Sequence, residues 1–186
     1  NEGIEVLRKL WTGEPVAHEG RHFSFPETQM LPKPARPGGP PLWVGGRTEA
    51  AFRRAGTLCD GYVSYVVTPE QYRSALDSIG EHYETSQRSL PEYGTSHLLF
   101  MRLGKTYEQA YDAANALLSK RYAMDFSRAT QRYAALGAPA DIAAFLDKFH
   151  AAGVRHFELE FLGTPEERDE QIEQFGKEVR PLLSFA

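Results

Sequence analysis

Residues 45–48 read Gly-Gly-Arg-Thr, and they stand where an apolar run ends and a helical pattern begins ("PLWVGGRTEAAF", 41–52). Those residue types in that order suit an anion. The first amides of a helix have no intrahelical partner, and the helix dipole adds partial positive charge at the same end. Glycine lets the backbone approach a phosphate closely and take a positive φ. Arg47 adds a forked cation, and Thr48 offers a helix cap and a hydroxyl. Gly45, Gly46, Arg47 and Thr48 therefore form a candidate phosphate cradle. The plainer alternative is a tight strand-to-helix turn beside a solvated arginine, and the residues alone leave both open.

Other chemistry-bearing residues are less suggestive. Ser64 and Tyr65, with Val66, close the next apolar run, "GYVSYVV" (61–67), where they can border a ligand or simply pack. Glu158 and Glu160 share one side of a third run, "VRHFELEFL". Two carboxylates on one strand face invite an acid/base reading. Their burial is costly unless they are paired, which favours contact with polar groups or water. His18 and His22 flank Gly20 in a non-helical stretch, and His150 and His156 straddle a turn. No cysteine or aspartate stands at ligand spacing, so no metal site is expected. Cys59 reads as a buried structural thiol and Asp60 as a turn residue. No G-x-G-x-x-G, P-loop or G-x-S-x-G motif occurs.

The elements that would position these residues follow a rhythm. Ile4, Leu7, Leu10 and Trp11 mark a first helix. Residues 13–40 form a long Pro/Gly-rich excursion, with a short strand expected in "GRHFSF" (20–25) and a stiff extended run in "PKPARPGGPP". Four strand–helix units come next. Their strands fall at 41–46, 61–67, 96–103 and 154–162. Their helices carry Ala51, Phe52, Ala55 and Leu58; Tyr72, Leu76, Ile79 and Tyr83; Tyr107, Tyr111, Ala114 and Leu118; and Ile172, Phe175, Val179 and Leu183. A further helix opens at Pro139 with a stripe of Ile142, Phe145, Leu146 and Phe149, and Gly153 ends it. Residues 122–136 read as helical without a clear stripe. Thr68-Pro69 and Thr164-Pro165, each followed by Gln or Glu at the third helical position, are capping-box starts.

Alternating strands and helices imply a parallel sheet covered by helices. Right-handed crossovers then leave two architectures: an open four-stranded sheet, or half of a β/α barrel, whose full form needs about 250 residues. The 186 residues suffice for a single domain with its own core. Net charge is −4, with acids and bases interspersed, so neither a nucleic-acid surface nor an acidic tail is indicated. No apolar stretch reaches membrane-spanning length. A single cysteine points to a reducing, cytoplasmic setting. A sequence opening at Asn1 rather than Met is expected of a segment of something longer, or of a processed product.

Three stretches taken together, "RKLWTGEPVAHEGRHFSF", "LPKPARPGGPPLWVGGRTEAAFRRAG" and "CDGYVSYVVTPEQY", resemble the bacterial luciferase-like flavin-dependent oxidoreductases. The later "GAPADIAAFLDKFHAAGVRHFELEF" is similar to the last unit of that family. The resemblance implies a TIM (β/α)8-type barrel of which residues 1–186 supply the last four units as one domain. It implies FMN or F420 as cofactor, a small organic substrate, and Gly45, Gly46, Arg47, Thr48, Ser64 and Tyr65 as cofactor-binding residues. Most catalytic residues would then lie in the first four strands, and none is named here. Such a half would associate with the missing amino-terminal half or form a homo-oligomer through its edges and open inner face. Two alternatives stand beside an enzyme: a catalytically incomplete flavin-binding fragment, and a half-barrel that takes sugar phosphates without a flavin. One departure is visible. Ala138 stands before Pro139 where relatives usually carry Thr or Ser, so a cap of about 1 kcal/mol is missing.

Overall fold

The computed structural model describes residues 1–88 and 93–185. Its frame is a parallel sheet built from β3 (Trp43–Gly45), β4 (Gly61–Tyr65), β5 (Gly94–Leu103), β6 (Ala135–Gly137) and β7 (His156–Phe161). The long β5 is central. Along one edge it pairs with β4 and then, past the end of β4, with β6. Along the other it pairs with β7, so Met101 faces Ala135 on one side and Phe161 on the other. All four expected strands are present and parallel, and β6 is an addition. It occupies part of the stretch expected to continue as helix. There α5 (Ser127–Tyr133) stops at Ala134, and the chain turns extended to pair with β5.

Helices α2 (Glu49–Leu58), α3 (Pro69–Thr85) and α6 (Pro139–Ala151) cover one face. There Leu99, Met101 and Leu103 of β5 pack with Tyr62, Tyr72, Ile79, Ile142, Leu146 and Phe149. Each fully buried large side chain contributes about 1.5–3 kcal/mol. The start signals behave as their chemistry requires: Thr68 and Thr164 accept from the amides of Gln71 and Glu167, whose side chains reach back to the cap amides. α4 (Tyr107–Tyr122) lies elsewhere. Its Ala110, Ala114 and Leu118 pack on Phe100, Leu136 and Leu162, on the face opposite α2, α3 and α6. Tyr107, expected in its buried stripe, is 40% exposed. The sheet face opposite α2, α3 and α6 is therefore covered over Phe100 and Leu136 and not left wholly open.

Four further expectations need correction. α1 (Glu2–Leu10) buries Val6 and leaves Leu7 exposed. It packs on an antiparallel hairpin, β1 (Val16–Glu19) and β2 (Ser24–Thr28), with Gly3 against Phe23. Residues 20–23 are that hairpin's turn and not strand, because Gly20 N–H donates to Phe23 O and the Glu2 carboxylate takes the amides of His22 and Phe23. The proline run is likewise bent: Gly39 N–H donates to Arg36 O. Finally, α7 (Pro165–Gln174) continues through a π turn at 175–179, and its inward stripe is Gln171, Phe175 and Val179. Ile172 is 53% exposed. Gln171 is buried because its amide serves two strand ends, accepting from Leu103 N–H and donating to Leu162 O.

Candidate functional site

Parallel register arranges the face opposite α2, α3 and α6 in layers. Trp43, Gly61 and Gly94 align; then Gly45, Val63, Ser96 and His156; then Tyr65, Leu98 and Glu158; then Phe100 and Glu160. The first layer is a floor. A Cβ at Gly94 would meet the Trp43 indole at 2.0 Å, and one at Gly61 would meet it at 2.6 Å. Bare backbone at both positions leaves room for the ring, whose centre lies 5.2 Å from that of His156 with the two planes nearly perpendicular.

The middle layers enclose a hollow of about 410 Å³ lined by Gly45, Gly46, Arg47, Val63, Ser64, Tyr65, Leu98 and Glu158. It opens at the carboxyl ends of the strands, where enzymes of β/α architecture place their chemistry. Gly46 has φ +137° and carries the chain out of β3, and a Cβ there would sit 2.5 Å from that of Ala51. The Gly46 carbonyl accepts from the Tyr62 hydroxyl at 2.8 Å. Burial pushes that phenol up to about 12, against the pull of Arg47, so it stays a neutral donor. Thr48 caps α2, its hydroxyl accepting from Ala51 N–H. The amides ahead of Ala51 lie in the turn where a helix offers donors to an anion.

Arg47 leans across the rim. Its Nη1 donates to Val66 O at 3.2 Å, and its guanidinium lies 6.0 Å from the Tyr65 ring centre. Among the described residues no carboxylate pairs with it. Val66 itself has φ +54°, a costly conformation for a β-branched residue, of order 1–3 kcal/mol. Strain of this kind concentrates where a backbone is held for a purpose.

The expected residues thus separate. Gly45, Gly46, Arg47 and Tyr65 meet at the hollow, and Tyr65 is 47% exposed. Thr48 stands behind them as the cap. Ser64 lends its backbone to the hollow while its hydroxyl turns to the helix side, sharing a 2.8 Å hydrogen bond with His97 Nδ1. His97 is buried against Phe149, ring centres 4.1 Å apart, and burial lowers it to about 4. The pair is sealed from the hollow. Glu158 does line the hollow, with Oε1 accepting from Ser96 Oγ at 3.1 Å, while Glu160 is bound by Arg121 of α4. Val63 and Leu98 escaped the sequence reading, since only the register of the strands brings them beside Gly45 and Tyr65.

A larger cavity, about 690 Å³, lies at the amino end of the sheet between Trp43, His156, residues 36–41 and Arg8, Asp60 and Arg88. Size does not make it the better site. Arg88 is committed to Asp60 at 2.8 Å and Cys59 O, and Arg8 to Leu58 O and Asp60. Asp60 in turn takes Leu42 N–H, which is a turn residue's work. Burial raises the Cys59 thiol above its ordinary value, so it is not a nucleophile. Among the described residues no group of His, Cys, Asp or Glu is arranged to hold a metal. No helix there is long and apolar enough to cross a membrane.

The residues at the hollow fit a phosphorylated cofactor tail: bare backbone, a cation without an acidic partner, and a capped helix start. Comparison with known proteins bears on the family and the fold. Residues 1–179 match the model of the luciferase-like monooxygenases. The chain is similar to a sulfoquinovose monooxygenase of Agrobacterium fabrum, 31% identical over 64% of this chain and 31% of that protein. It is also similar to an F420-dependent glucose-6-phosphate dehydrogenase of Microbacterium testaceum, 23% identical over 98% of this chain and 59% of that one. Among solved structures, an F420-dependent secondary alcohol dehydrogenase with an F420-acetone adduct superposes with a TM-score of 0.83 at 16% identity, covering 97% of this chain and 60% of that one. The oxygenating constituent of 3,6-diketocamphane monooxygenase from Pseudomonas putida, in complex with FMN, gives 0.71 at 15% identity, covering 98% and 62%. At such identities the likeness of structures speaks to the fold. The chain spans about three fifths of these two structures and of the dehydrogenase, and about a third of the sulfoquinovose enzyme.

Proposed function

The chain belongs to the luciferase-like monooxygenase family, and on that premise we propose that it is the carboxy-terminal part of a β/α-barrel oxidoreductase that uses FMN or F420 on a small organic substrate. Its own part is to anchor the cofactor's phosphate. The observation that carries this reading is the hollow at the carboxyl rim, where Gly45, Gly46 and the acid-free Arg47 converge beside the capped start of α2. The cofactor would bring redox chemistry, hydride transfer for F420 or oxygenation for FMN. The chain's residues bind and orient. The amides after Gly45 and the Arg47 guanidinium hold an anion, Tyr65 and Leu98 supply apolar wall, and Thr48 keeps the helix start in place. Residues that touch the reacting atoms would lie in the part of the relatives' length that this chain does not span.

Titration of FMN and of F420, followed by cofactor fluorescence, tests the proposal. Binding that weakens in Arg47→Ala is expected. Failure of both cofactors to bind, even with an amino-terminal half supplied, ends it.

The second reading is a flavin-binding fragment that dimerises through its half-barrel. It is favoured by one observation: β3 pairs only with β4, and β7 only with β5, so both edges present unpaired backbone among the described residues. Light scattering decides, since a stable monomer argues against it.

A further inference from the structure

We propose that Tyr62 is a positioning residue of the anchor: its buried hydroxyl fixes the Gly46–Arg47 peptide so that the Arg47 N–H, and not the Gly46 carbonyl, is turned toward the anion. The inference rests on the anchor reading above and concerns a side chain on the other face of the sheet from the hollow.

Strand alternation puts Tyr62 and Val63 on opposite faces of β4. Val63 lines the hollow, whereas Tyr62 is buried on the helix side. Its ring is wedged between Phe52 of α2 and Tyr72 of α3, with each of their ring centres 6.0 Å away. The hydroxyl therefore has a fixed place, and from there it donates to Gly46 O at 2.8 Å. Among the described residues only Leu31–Pro32 is cis. The Gly46–Arg47 peptide is thus planar and trans, with its N–H antiparallel to its C=O. A carbonyl held toward the helix layer leaves the Arg47 N–H directed to the other face, where Gly46 and Arg47 border the hollow.

Glycine makes such a lock necessary. Gly46 has φ +137°, and a Cβ there would lie 2.5 Å from that of Ala51, so only bare backbone fits. The same freedom lets the peptide that follows turn over, as the central peptide does between type I and type II turns. Turned over, it would present a carbonyl oxygen to the anion. A hydroxyl that holds the carbonyl suppresses that alternative. Freed and without preference, the peptide would be competent half of the time, which weakens apparent affinity about twofold. The loss is bounded at about fivefold, the bias that one net hydrogen bond supplies.

Tyr72 provides a matched control. It is fully buried in the same core, beside Tyr62. Its hydroxyl lies near Thr95, whose own hydroxyl donates to Gly153 O, and it makes no well-aligned hydrogen bond among the described residues. It holds nothing at the rim.

The test compares Tyr62→Phe with Tyr72→Phe, each of which keeps its ring and loses one oxygen. The three-bond coupling between the Arg47 amide proton and its Hα reports the φ of Arg47, which changes when the peptide turns over. Calorimetric titration with inorganic phosphate reads the anchor. In Tyr62→Phe the coupling should move away from its wild-type value, and phosphate should bind about two- to fivefold more weakly. In Tyr72→Phe both should match wild type. An unchanged coupling in Tyr62→Phe overturns the inference. A changed coupling with wild-type phosphate affinity also overturns it, because the bond then only braces the core. So does an equal loss in Tyr72→Phe, which would place the cause in the core and not in the bond. Each of these three results leaves the anchor standing. Wild-type protein that binds no phosphate ends the anchor reading, and the positioning role with it.

Discussion

The two ends of the same sheet are built from similar residues and used in opposite ways. Each has a pair of glycines, an arginine, an aromatic ring and a carboxylate. At the amino end the glycines are filled, because the Trp43 ring occupies the space over Gly61 and Gly94. The charges there are spent as well, Arg88 and Arg8 on Asp60. At the carboxyl end Gly45 and Gly46 border a hollow, and among the described residues Arg47 pairs with no carboxylate and Glu158 with no cation. A residue type therefore says little by itself. What separates scaffold from site is whether its bonding capacity has already been used, and in β/α proteins the unused end is the carboxyl one.

The strongest challenge to this contrast comes from acid. The rim strand β4 is backed by the buried Ser64–His97 pair, and burial lowers His97 from 6.5 to about 4. The unfolded chain takes up a proton near pH 6.5, while the folded one resists until about 4. The stability from keeping this ring neutral is complete above pH 6.5 and is lost progressively as pH falls to 4. The loss amounts to about 3 kcal/mol. Denaturant midpoints measured across that window should fall accordingly, and His97→Asn should flatten the slope even if it lowers the plateau. An unchanged slope would show that the rim is not held from behind in this way.

Filling the floor comes next. Gly94→Ala drives a methyl into the indole, and overpacking of this kind costs about 2 kcal/mol. The melting temperature should drop by several degrees while the folded fraction keeps its affinity for phosphate. Loss of affinity in step with stability would erase the distinction between the two ends. Arg47→Ala is the mirror case. An exposed residue with one carbonyl contact should change stability by no more than about 0.5 kcal/mol. Anion affinity should fall about tenfold, roughly one charge-assisted hydrogen bond. Calorimetry with phosphate and thermal melts on the same sample read both.

Much of this was legible in the residues, and three of the misses share a cause. Strand positions, helix starts and the Gly45–Thr48 turn follow from local chemistry, so pattern alone finds them. Ser64 alternates correctly with its neighbours, yet nothing local tells which face of β4 meets the helices; that is set by Tyr62 packing against Tyr72. Glu158 and Glu160 look equivalent in sequence and differ only because α4 crosses the inner face and brings Arg121 to one of them. Ile172 lost its place to Gln171 because two strand ends needed an amide. Each of these three misses concerns a partner outside the residue's own element, whereas the turns at 20–23 and 36–39 are closed by residues three apart.

The smallest predicted effect isolates scaffold from site within one motif. Three helices here start with Pro at their first position, behind Thr68, Ala138 and Thr164. The three cap residues share an extended backbone, with ψ 164°, 164° and 165°. Behind Ala138 the reciprocal half is already in place: Asp141 accepts from the Ala138 N–H at 3.0 Å. Only the side-chain acceptor for the Asp141 amide is missing. Ala138→Thr needs no backbone change to supply it and should stabilise the protein by about 0.5–1 kcal/mol. The residue is far along the chain from the hollow and contributes nothing to its lining. Chemical denaturation should show the gain, and FMN and phosphate titrations should be superimposable on wild type. A shift in ligand affinity would mean that the start of α6 is coupled to the rim, and that the division between the two ends is less sharp than the bonding pattern implies.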